Sequence, residues 1–330
     1  MRARELGIAI GDLEPGPLNA ITDVGGVRVG HTTLIEGDDV RTGVTVVVPP
    51  GLPCFAAPFR LNGNGEMTGL EWVRESGHLT SQVAVTNTHS VGVVRDALVT
   101  AAIRDGIDRW HLPVVAETYD GFLNDINGMH VRAEHLLAAL DSATGGPVAE
   151  GCVGGGTGMI CHGFKGGIGT ASRVTEAGHT LGVLVQANHG RRPRLAIDGV
   201  PVGKELGADR IPAPSPHDGA GSIIVVVATD APLLPHQCER VAVRAALGIG
   251  RTGGAGENSS GDLILAFSTG GSGALFPNEE IDPLFYAAIE ATEEAIVNAL
   301  LAAETMTGRR GTVYALDPEA LAEVMRRHRP

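Results

Sequence analysis

Aromatic residues are scarce in this chain of 330 residues, where Phe, Trp and Tyr together make up 4%. Basic residues are also in the minority, with 25 Lys and Arg against 38 Asp and Glu and a formal net charge of −13. Sequence-independent binding to nucleic acid needs a basic surface, so this balance excludes that class of function. The chain also lacks an apolar run of about 20 residues, the length that a membrane-spanning helix requires. We therefore expect neither a nucleic-acid partner nor a membrane.

Cysteine is rare as well, with four residues and no Cys-x-x-Cys spacing. A chain of this length does not need disulfides to hold a core. We therefore expect reduced, mostly buried thiols at Cys54, Cys152, Cys161 and Cys238. The first residues lack the apolar run of a secretory signal peptide. Together these features predict a cytoplasmic protein.

The histidines do not form a recognisable metal-binding pattern. Twelve are present, and none belongs to a His-x-x-x-His pair, which would place two imidazoles on one helix face. Cys161 and His162 are neighbours, and neighbouring side chains on a strand point to opposite faces. We therefore expect no metal site.

Glycine, by contrast, is abundant, with 47 residues, about twice the usual share. The glycines cluster among Val- and Ala-rich runs, which indicates tight turns and close backbone approaches in a packed fold. Gly248, Gly250 and Gly253 match the Gly-x-Gly-x-x-Gly of dinucleotide sites. That motif must follow a strand and open a helix, whereas this one follows a helical stretch. We interpret it as a helix C-terminus.

Strand and helix patterns alternate along the chain and predict a layered α/β fold. Short β-branched runs predict strands at 26–30, 42–48, 81–86, 113–116, 180–186, 222–229, 262–268 and 312–316. Helical patterns lie at 94–104, 133–143, 235–247, 283–303 and 318–327. Several strand runs are apolar throughout, which is typical of strands covered on both faces. Residues 191–221 are rich in Pro and Gly and are predicted to form an exposed loop.

That loop reaches a strand through the small residues Gly219 and Ala220, followed by Gly221 and Ser222. An ordinary junction between loop and strand has much the same composition. A second hypothesis is that the Gly221–Ser222 bond is cut, because Ser222 would then carry both a hydroxyl and an α-amine with a pKa of about 7.7–8.0. Such a residue contains its own nucleophile and general base. Glycine before the cut permits strained backbone angles and crowds the scissile carbonyl least.

Segments along nearly the whole chain resemble the L-aminopeptidase/D-amidase–esterase (DmpA-like) family, which includes the β-peptidyl aminopeptidases. The segments that carry this resemblance are 21–31 (ITDVGGVRVGH), 41–45 (RTGVT), 115–121 (VAETYDG), 153–158 (VGGGTG), 182–188 (GVLVQAN), 221–235 (GSIIVVVATDAPLLP) and 251–253 (RTG). Together they favour the self-cleavage hypothesis over the ordinary junction.

The resemblance implies a four-layer αββα sandwich similar to that of the N-terminal-nucleophile hydrolases. It implies one domain, 1–330, that matures by self-cleavage at Gly221–Ser222 into an α-subunit, 1–221, and a β-subunit, 222–330. The two subunits are expected to stay associated, usually within a homotetramer.

The resemblance also implies roles for four residues of the catalytic centre. Ser222 matches the nucleophile, which becomes the new N-terminus. Ser260 and Asp262 match a Ser-x-acid pair that lies beside the nucleophile and tunes its protonation. Asn188 matches the residue whose side-chain amide helps to bind the tetrahedral oxyanion.

Glu117 and Tyr119 match the pocket that receives the free amino group of the substrate. A carboxylate there pairs with the substrate's ammonium and gives blocked N-termini no such interaction. One departure from the family pattern is His189, where an aromatic residue such as Tyr or Phe is expected.

The sequence therefore predicts a self-processing serine aminopeptidase. It is expected to act on short peptides, amino-acid amides or esters through an aminoacyl intermediate on Ser222, with no metal or organic cofactor. Two alternatives remain open at this point. One is an acyltransferase similar to the ornithine acetyltransferases, and the other is an uncleaved binding protein that has the fold without the chemistry.

Overall fold

The structure, a computed structural model, describes residues 1–108, 110–214, 221–271 and 275–328. Its α-helices are α1 (Leu70–Ser76), α2 (Val91–Arg104), α3 (Ala133–Asp141), α4 (Val202–Glu205), α5 (Pro235–Arg251), α6 (Asp282–Ala302) and α7 (Pro318–His328). Its strands are β1 (Arg28–Glu36), β2 (Val40–Val48), β3 (Cys54–Arg60), β4 (His78–Leu79), β5 (Val83–Asn87), β6 (Val114–Thr118), β7 (Ile160–Cys161), β8 (Phe164–Lys165), β9 (Gly167–Val174), β10 (Thr180–His189), β11 (Gly221–Thr229), β12 (Asp262–Ser268), β13 (Met306–Gly308) and β14 (Gly311–Val313).

Two sheets lie face to face between layers of helices. The larger sheet has the strand order β4-β3-β12-β11-β10-β9, and the smaller has the order β1-β2-β5-β6. Apolar side chains from both facing surfaces, such as Val85 and Val226, form one buried core between the sheets. Helices α2 and α3 cover the outer face of the smaller sheet, and α5 and α6 cover that of the larger sheet. This arrangement confirms the predicted αββα sandwich.

Each predicted strand and helix overlaps an element of the structure, but several elements were not predicted, and the longest of these are β3, β9 and α1. The sequence of β9 is Gly-Ile-Gly-Thr-Ala-Ser-Arg-Val, and glycine is depleted in strands. The structure explains this glycine by close packing of α6 on β9. A Cβ atom at Gly169 would lie 2.0 Å from the carbonyl oxygen of Ala295, so only glycine lets the helix approach this closely.

The predicted exposed loop at 191–221 is wrong over its first half. Leu195, Ile197, Val202 and Leu206 are buried in the same core as α5 and α6, because apolar residues alternate there with the turn-forming ones. Pro and Gly mark the turns of this segment correctly but carry no information on what lies between them. The second half includes 215–220, which lie outside the described residues.

Three further features of the structure concern the glycine motif, the cysteines and the helices. Helix α5 ends at Arg251, so Gly248, Gly250 and Gly253 lie at and beyond a helix C-terminus, as predicted. All four cysteines are free thiols, two of them buried. Within the described part of the chain, no helix has the length and apolarity needed to cross a bilayer.

Candidate active site

Three strands of the larger sheet bring the predicted catalytic residues to one edge. Strands β11 and β12 are parallel neighbours, with Ile223 opposite Asp262, so both begin at this edge. Strand β10 runs antiparallel to β11 and ends there, with Asn188 opposite Ser222. The register alone therefore places the amide of Asn188 and the carboxylate of Asp262 on either side of Ser222.

The Ser222 side chain lies in a preorganised, buried environment. Its Oγ accepts a hydrogen bond from the backbone N–H of Gly261 at 2.9 Å. Next to it, Ser260 Oγ donates to Asp262 Oδ1 at 2.5 Å, and the N–H of Ile223 donates to the same oxygen at 3.2 Å. Burial raises the pKa of Asp262, while the hydrogen bonds from Ser260 and Ile223 act to lower it. The structure thus brings together Ser222, Ser260 and Asp262 as predicted.

A residue that sequence analysis missed, Asn62, holds Asp262 from the other side. The Nδ2 of Asn62 donates to Asp262 Oδ2 at 3.1 Å, and its Oδ1 accepts the N–H of Asp262 at 2.5 Å. Asn62 lies just after β3 in the run Leu-Asn-Gly-Asn-Gly at 61–65. Such a run predicts only a turn, and no local signal pairs it with a residue 200 positions away.

The Asn188 side chain is fixed by two backbone contacts. Its Oδ1 accepts the N–H of Ile160 at 2.7 Å, and its Nδ2 donates to the carbonyl oxygen of Tyr119 at 3.1 Å. A carboxamide nitrogen has two hydrogens, so one N–H remains for an anion that forms beside Ser222. Tyr119 was predicted to belong to the pocket for the substrate's amino group; its backbone carbonyl orients Asn188, and the residue is 47% exposed.

Gly221 has a conformation that only glycine adopts without strain. Its φ is +68°, and a Cβ atom there would lie 1.7 Å from the carbonyl oxygen of Asn188. The backbone on the N-terminal side of Ser222 is therefore pressed against the strand that carries Asn188. This is the close approach that the sequence suggested for this glycine.

Glu117 is a second buried carboxylate of the site, besides Asp262. Its Oε1 accepts the N–H of Glu66 at 2.9 Å, and its Oε2 accepts the hydroxyl of Thr88. A Cβ atom at Gly65 would lie 3.2 Å from Glu117 Oε1 and 3.1 Å from the Cα of Gly261, whose N–H holds Ser222. Gly65 therefore lies between the carboxylate and Gly261, the residue that contacts the nucleophile. Burial raises its pKa, and the hydroxyl of Thr88 partly offsets this effect.

One prediction near this site is wrong. Cys161 and His162 do not diverge, because the turn between β7 and β8 places His162 at a φ of +49°. The ligand atoms of Cys161, His162 and His189 lie within 4.8 Å of one another, and all three residues are buried. The alternation of side chains holds for a regular strand, and β7 ends at Cys161.

Comparison with known proteins agrees with this geometry. The sequence profile of peptidase family S58 matches residues 19–314. The beta-peptidyl aminopeptidase BapA of Sphingosinicella microcystinivorans is 49% identical, over 99% of this chain and 92% of that protein. The solved beta-aminopeptidase of Burkholderia sp. superposes with a TM-score of 0.94 at 53% identity, covering 99% of both chains.

A second solved structure identifies the fold. The L-aminopeptidase D-Ala-esterase/amidase of Ochrobactrum anthropi, described as a prototype of the serine aminopeptidases and a new variant of the Ntn hydrolase fold, superposes with a TM-score of 0.91. It is 45% identical over 99% of this chain and 98% of its own. Family and fold agree over nearly the whole length of the chain. The chain therefore belongs to peptidase family S58 and is a serine aminopeptidase of the Ntn hydrolase type.

Proposed function

We propose that this aminopeptidase matures by cutting its own Gly221–Ser222 bond, which yields subunits 1–221 and 222–330 and frees the α-amine of Ser222. The convergence of Asn188, Ser222 and Asp262 at one sheet edge carries this proposal. The tight packing of Gly221 against Asn188 adds support, because it holds the scissile bond beside the amide predicted to bind the oxyanion. Strand β11 lies between β10 of the first subunit and β12 of the second. The sheet therefore continues to join the two subunits after the cut.

In the mature enzyme, Ser222 acts as both nucleophile and base. Its Oγ attacks the substrate carbonyl, and the proton passes to its own α-amine, whose unperturbed pKa of about 7.7–8.0 suits a base near neutral pH. The Nδ2 of Asn188 donates to the oxyanion of the tetrahedral intermediate. The C–N or C–O bond of the substrate then breaks, and the α-ammonium returns the proton to the leaving group. Water hydrolyses the aminoacyl ester by the same route.

Asp262 and Ser260 are positioned to stabilise the ammonium form of the nucleophile's amine. Asp262 already contacts the N–H of Ile223, one residue from Ser222, at 3.2 Å. A carboxylate this close favours the protonated base electrostatically. Neither a metal nor an organic cofactor is required for any of these steps.

We assign the substrates as short peptides, amino-acid amides and esters with a free amino group. Glu117 is a buried carboxylate one glycine away from the residue that holds Ser222, and it gives that ammonium a charged partner. The names of the relatives with 49% and 53% identity refer to β-amino-acid substrates. We therefore include β-aminoacyl residues among the substrates of this chain.

We further propose that the processed heterodimers assemble into a homotetramer and that the enzyme is located in the cytoplasm. Exposed apolar side chains on one stretch of chain, Ile103, Trp110 and Leu112, offer a surface for assembly. The four free thiols suit a reducing compartment. Light scattering on the purified protein measures the assembly directly.

Intact mass under denaturing conditions tests the maturation. The 34.0 kDa chain should separate into polypeptides of roughly 23 and 11 kDa by proportional share. Ser222→Ala should remain one chain and be inactive, whereas Ser142→Ala, an exposed serine at the end of α3, should be cut and active. Hydrolysis by an uncut Ser222→Ala chain would overturn the mechanism.

Product analysis separates hydrolysis from the acyltransferase alternative. With an aminoacyl p-nitroanilide and a competing amine, a hydrolase releases mainly the free amino acid, whereas a transferase forms mainly the new amide. A wild-type chain that stays at 34.0 kDa and turns over neither substrate would favour the binding protein instead.

A further inference from the structure

A buried thiol and two buried imidazoles meet directly behind the active site. Cys161 Sγ lies 3.8 Å from Nδ1 of His189, and the rings of His162 and His189 meet nearly edge to face with centroids 5.0 Å apart. None of the three residues is more than 2% exposed. We propose that Cys161, His162 and His189 form a binding site for a zinc-class transition-metal ion.

The backbone is shaped to bring these three side chains together. The positive φ of His162 turns its ring back towards Cys161. Gly190, directly after His189, leaves the space that this ring fills, because a Cβ atom there would lie 2.3 Å from Cε1 of His162. A Cβ atom at Gly166 would likewise lie 2.9 Å from the Cβ of Cys161. Both glycines keep clear the space around the cluster.

The hydrogen bonds of the imidazoles leave lone pairs for a metal. His162 Nδ1 lies 3.3 Å from the carbonyl oxygen of Arg191, and a carbonyl only accepts, so Nδ1 carries the hydrogen and Nε2 the lone pair. Histidine ligands of metals typically donate their other N–H to a backbone carbonyl in this way. The Nε2 atoms of both His162 and His189 are buried without a hydrogen-bond partner, which is costly unless another interaction compensates.

The ligand chemistry selects the class of ion. Two imidazoles and one thiolate suit zinc and its neighbours, whereas magnesium and calcium require oxygen ligands. A metal binds the neutral imidazole and the thiolate, so the Cys161 thiol has to give up its proton. Binding therefore replaces the thiol proton by the metal, and the reaction releases one H⁺ with no oxidation. Three protein ligands leave a fourth position on a tetrahedral ion.

The position of the cluster indicates what the ion does. His189 follows Asn188 on β10 and pairs with Gly221 in the sheet ladder. An ion bound to Cys161 and His189 ties β7 to the end of β10, next to the strand that begins with the nucleophile. The ion therefore acts as a clamp that stabilises this edge of the sheet.

Cobalt substitution tests the site with readouts that do not depend on activity. Protein expressed in cobalt-supplemented medium should contain one cobalt per chain by elemental mass spectrometry. It should also show thiolate-to-cobalt charge-transfer absorption in the near ultraviolet. Cys161→Ala should lose the band and the bound metal. Cys238→Ala, which removes a buried thiol outside the cluster, should keep both.

A second variant tests whether the loss of metal from Cys161→Ala results from misfolding. His189→Phe retains the thiol and introduces an aromatic ring of the kind the family resemblance suggests here, and it should also lose the stoichiometric metal. Zinc should raise the Tm of the wild type and of Cys238→Ala but not that of Cys161→Ala or His189→Phe. Absence of the charge-transfer band from the wild type, or equal metal content in all four proteins, would overturn the proposal.

Discussion

At the scale of single residues, the position of Asp262 in the site depends on Asn62. Asn62 contacts both the carboxylate and the backbone N–H of Asp262. A hydrogen bond to a charged group contributes about 1.5–3 kcal/mol, so Asn62→Ala should lower kcat roughly 10-fold to 100-fold. The pKa of Asp262 should rise because the ionised form loses a donor. The acidic limb of the kcat–pH profile should then move to higher pH.

A matched control is available two residues further on. Asn64 donates to the carbonyl oxygen of Ser259 at 2.9 Å and belongs to the same turn. Asn64→Ala should perturb this turn without shifting the acidic limb. Equal losses of kcat in Asn62→Ala and Asn64→Ala with unshifted profiles would mean that Asn62 supports only the fold of the loop.

Glu117 offers a second test at this scale. Glu117→Gln keeps the size of the side chain and an oxygen that accepts the N–H of Glu66, and its NH2 donates to the Thr88 hydroxyl instead of accepting from it, but the charge is removed. Loss of one partner of a buried ion pair costs about 2–5 kcal/mol, so kcat/KM for substrates with a free amino group should fall at least about 30-fold. N-acetylated substrates should be affected much less. An equal decrease for both substrate classes would show that Glu117 does not bind the ammonium.

Sequence analysis found the residues that lie in recognisable segments and missed those that act across the fold. Ser222 and Asn188 were predicted because each lies in a segment of the family resemblance, and Asp262 was predicted because it matches the acid of the family's Ser-x-acid pair. Asn62 was missed because its partner lies 200 positions away. The Cys161–His162 geometry was missed because a positive φ at one residue reverses the expected direction of a side chain.

At the scale of elements, α6 is joined to β9 through a buried arginine. Arg173 donates to Glu290 at 3.1 Å and to Glu294 at 2.7 Å. Its remaining donors reach the carbonyl oxygens of Ser172 and Ile10. Every group in this network is paired, which is the condition under which a buried charge is tolerated.

Arg173→Met should therefore destabilise the fold strongly. Removing one partner of a buried ionic network costs about 3–5 kcal/mol, because Glu290 stays buried without its cation and Glu294 keeps only its pair with Arg4. Urea unfolding measures this loss, and it is best measured in the Ser222→Ala background, where a single chain avoids dissociation of subunits. Arg74→Met removes an exposed pair with Glu71 and should cost at most about 1 kcal/mol. Equal effects in both variants would contradict the assignment.

Glycine explains why the sequence predicts the elements better than their packing. Gly30 on β1 and Gly169 on β9 each lie under a helix, and a Cβ atom at either would come within 2.0 Å of a helix carbonyl oxygen. A local pattern interprets such glycines as breaks in a strand. Their actual reason is the close approach of α3 and α6, which only the assembled layers show.

At the scale of the whole molecule, the order of layers was predictable but the polar interior was not. Apolar strands covered on both faces predicted a layered α/β fold, the family resemblance implied two sheets between helices, and the sandwich has this form. The sequence did not indicate that several carboxyl groups are buried. Asp120 is fully buried with one oxygen, Oδ2, lacking a hydrogen-bond partner. Burial raises its pKa to about 7, although hydrogen bonds from Thr42 and Asn124 act to lower it.

This buried carboxyl makes global stability depend on pH near neutrality. The pKa of Asp120 is raised on folding from 3.8 to about 7. The stability that the protonated Asp120 contributes to the folded state is therefore fully present below pH 3.8 and is lost as the pH rises through 7. The shift corresponds to on the order of 4 kcal/mol, so the free energy of unfolding of a Ser222→Ala chain should fall measurably between pH 5 and 8.

Asp120→Asn isolates this contribution, since the amide keeps the shape of the protonated acid and does not titrate. In the same Ser222→Ala background, the stability of the variant should fall much less between pH 5 and 8. The remaining fall should reflect Glu150, whose pKa burial also raises to about 7, together with the buried carboxyls of Glu117 and Asp262. Asp96→Asn, on the exposed face of α2, should leave the slope unchanged. Urea unfolding at a series of pH values makes the comparison. If Asp120→Asn and its parent lost stability in parallel from pH 5 to 8, Asp120 would not be the group whose ionisation opposes the folded state.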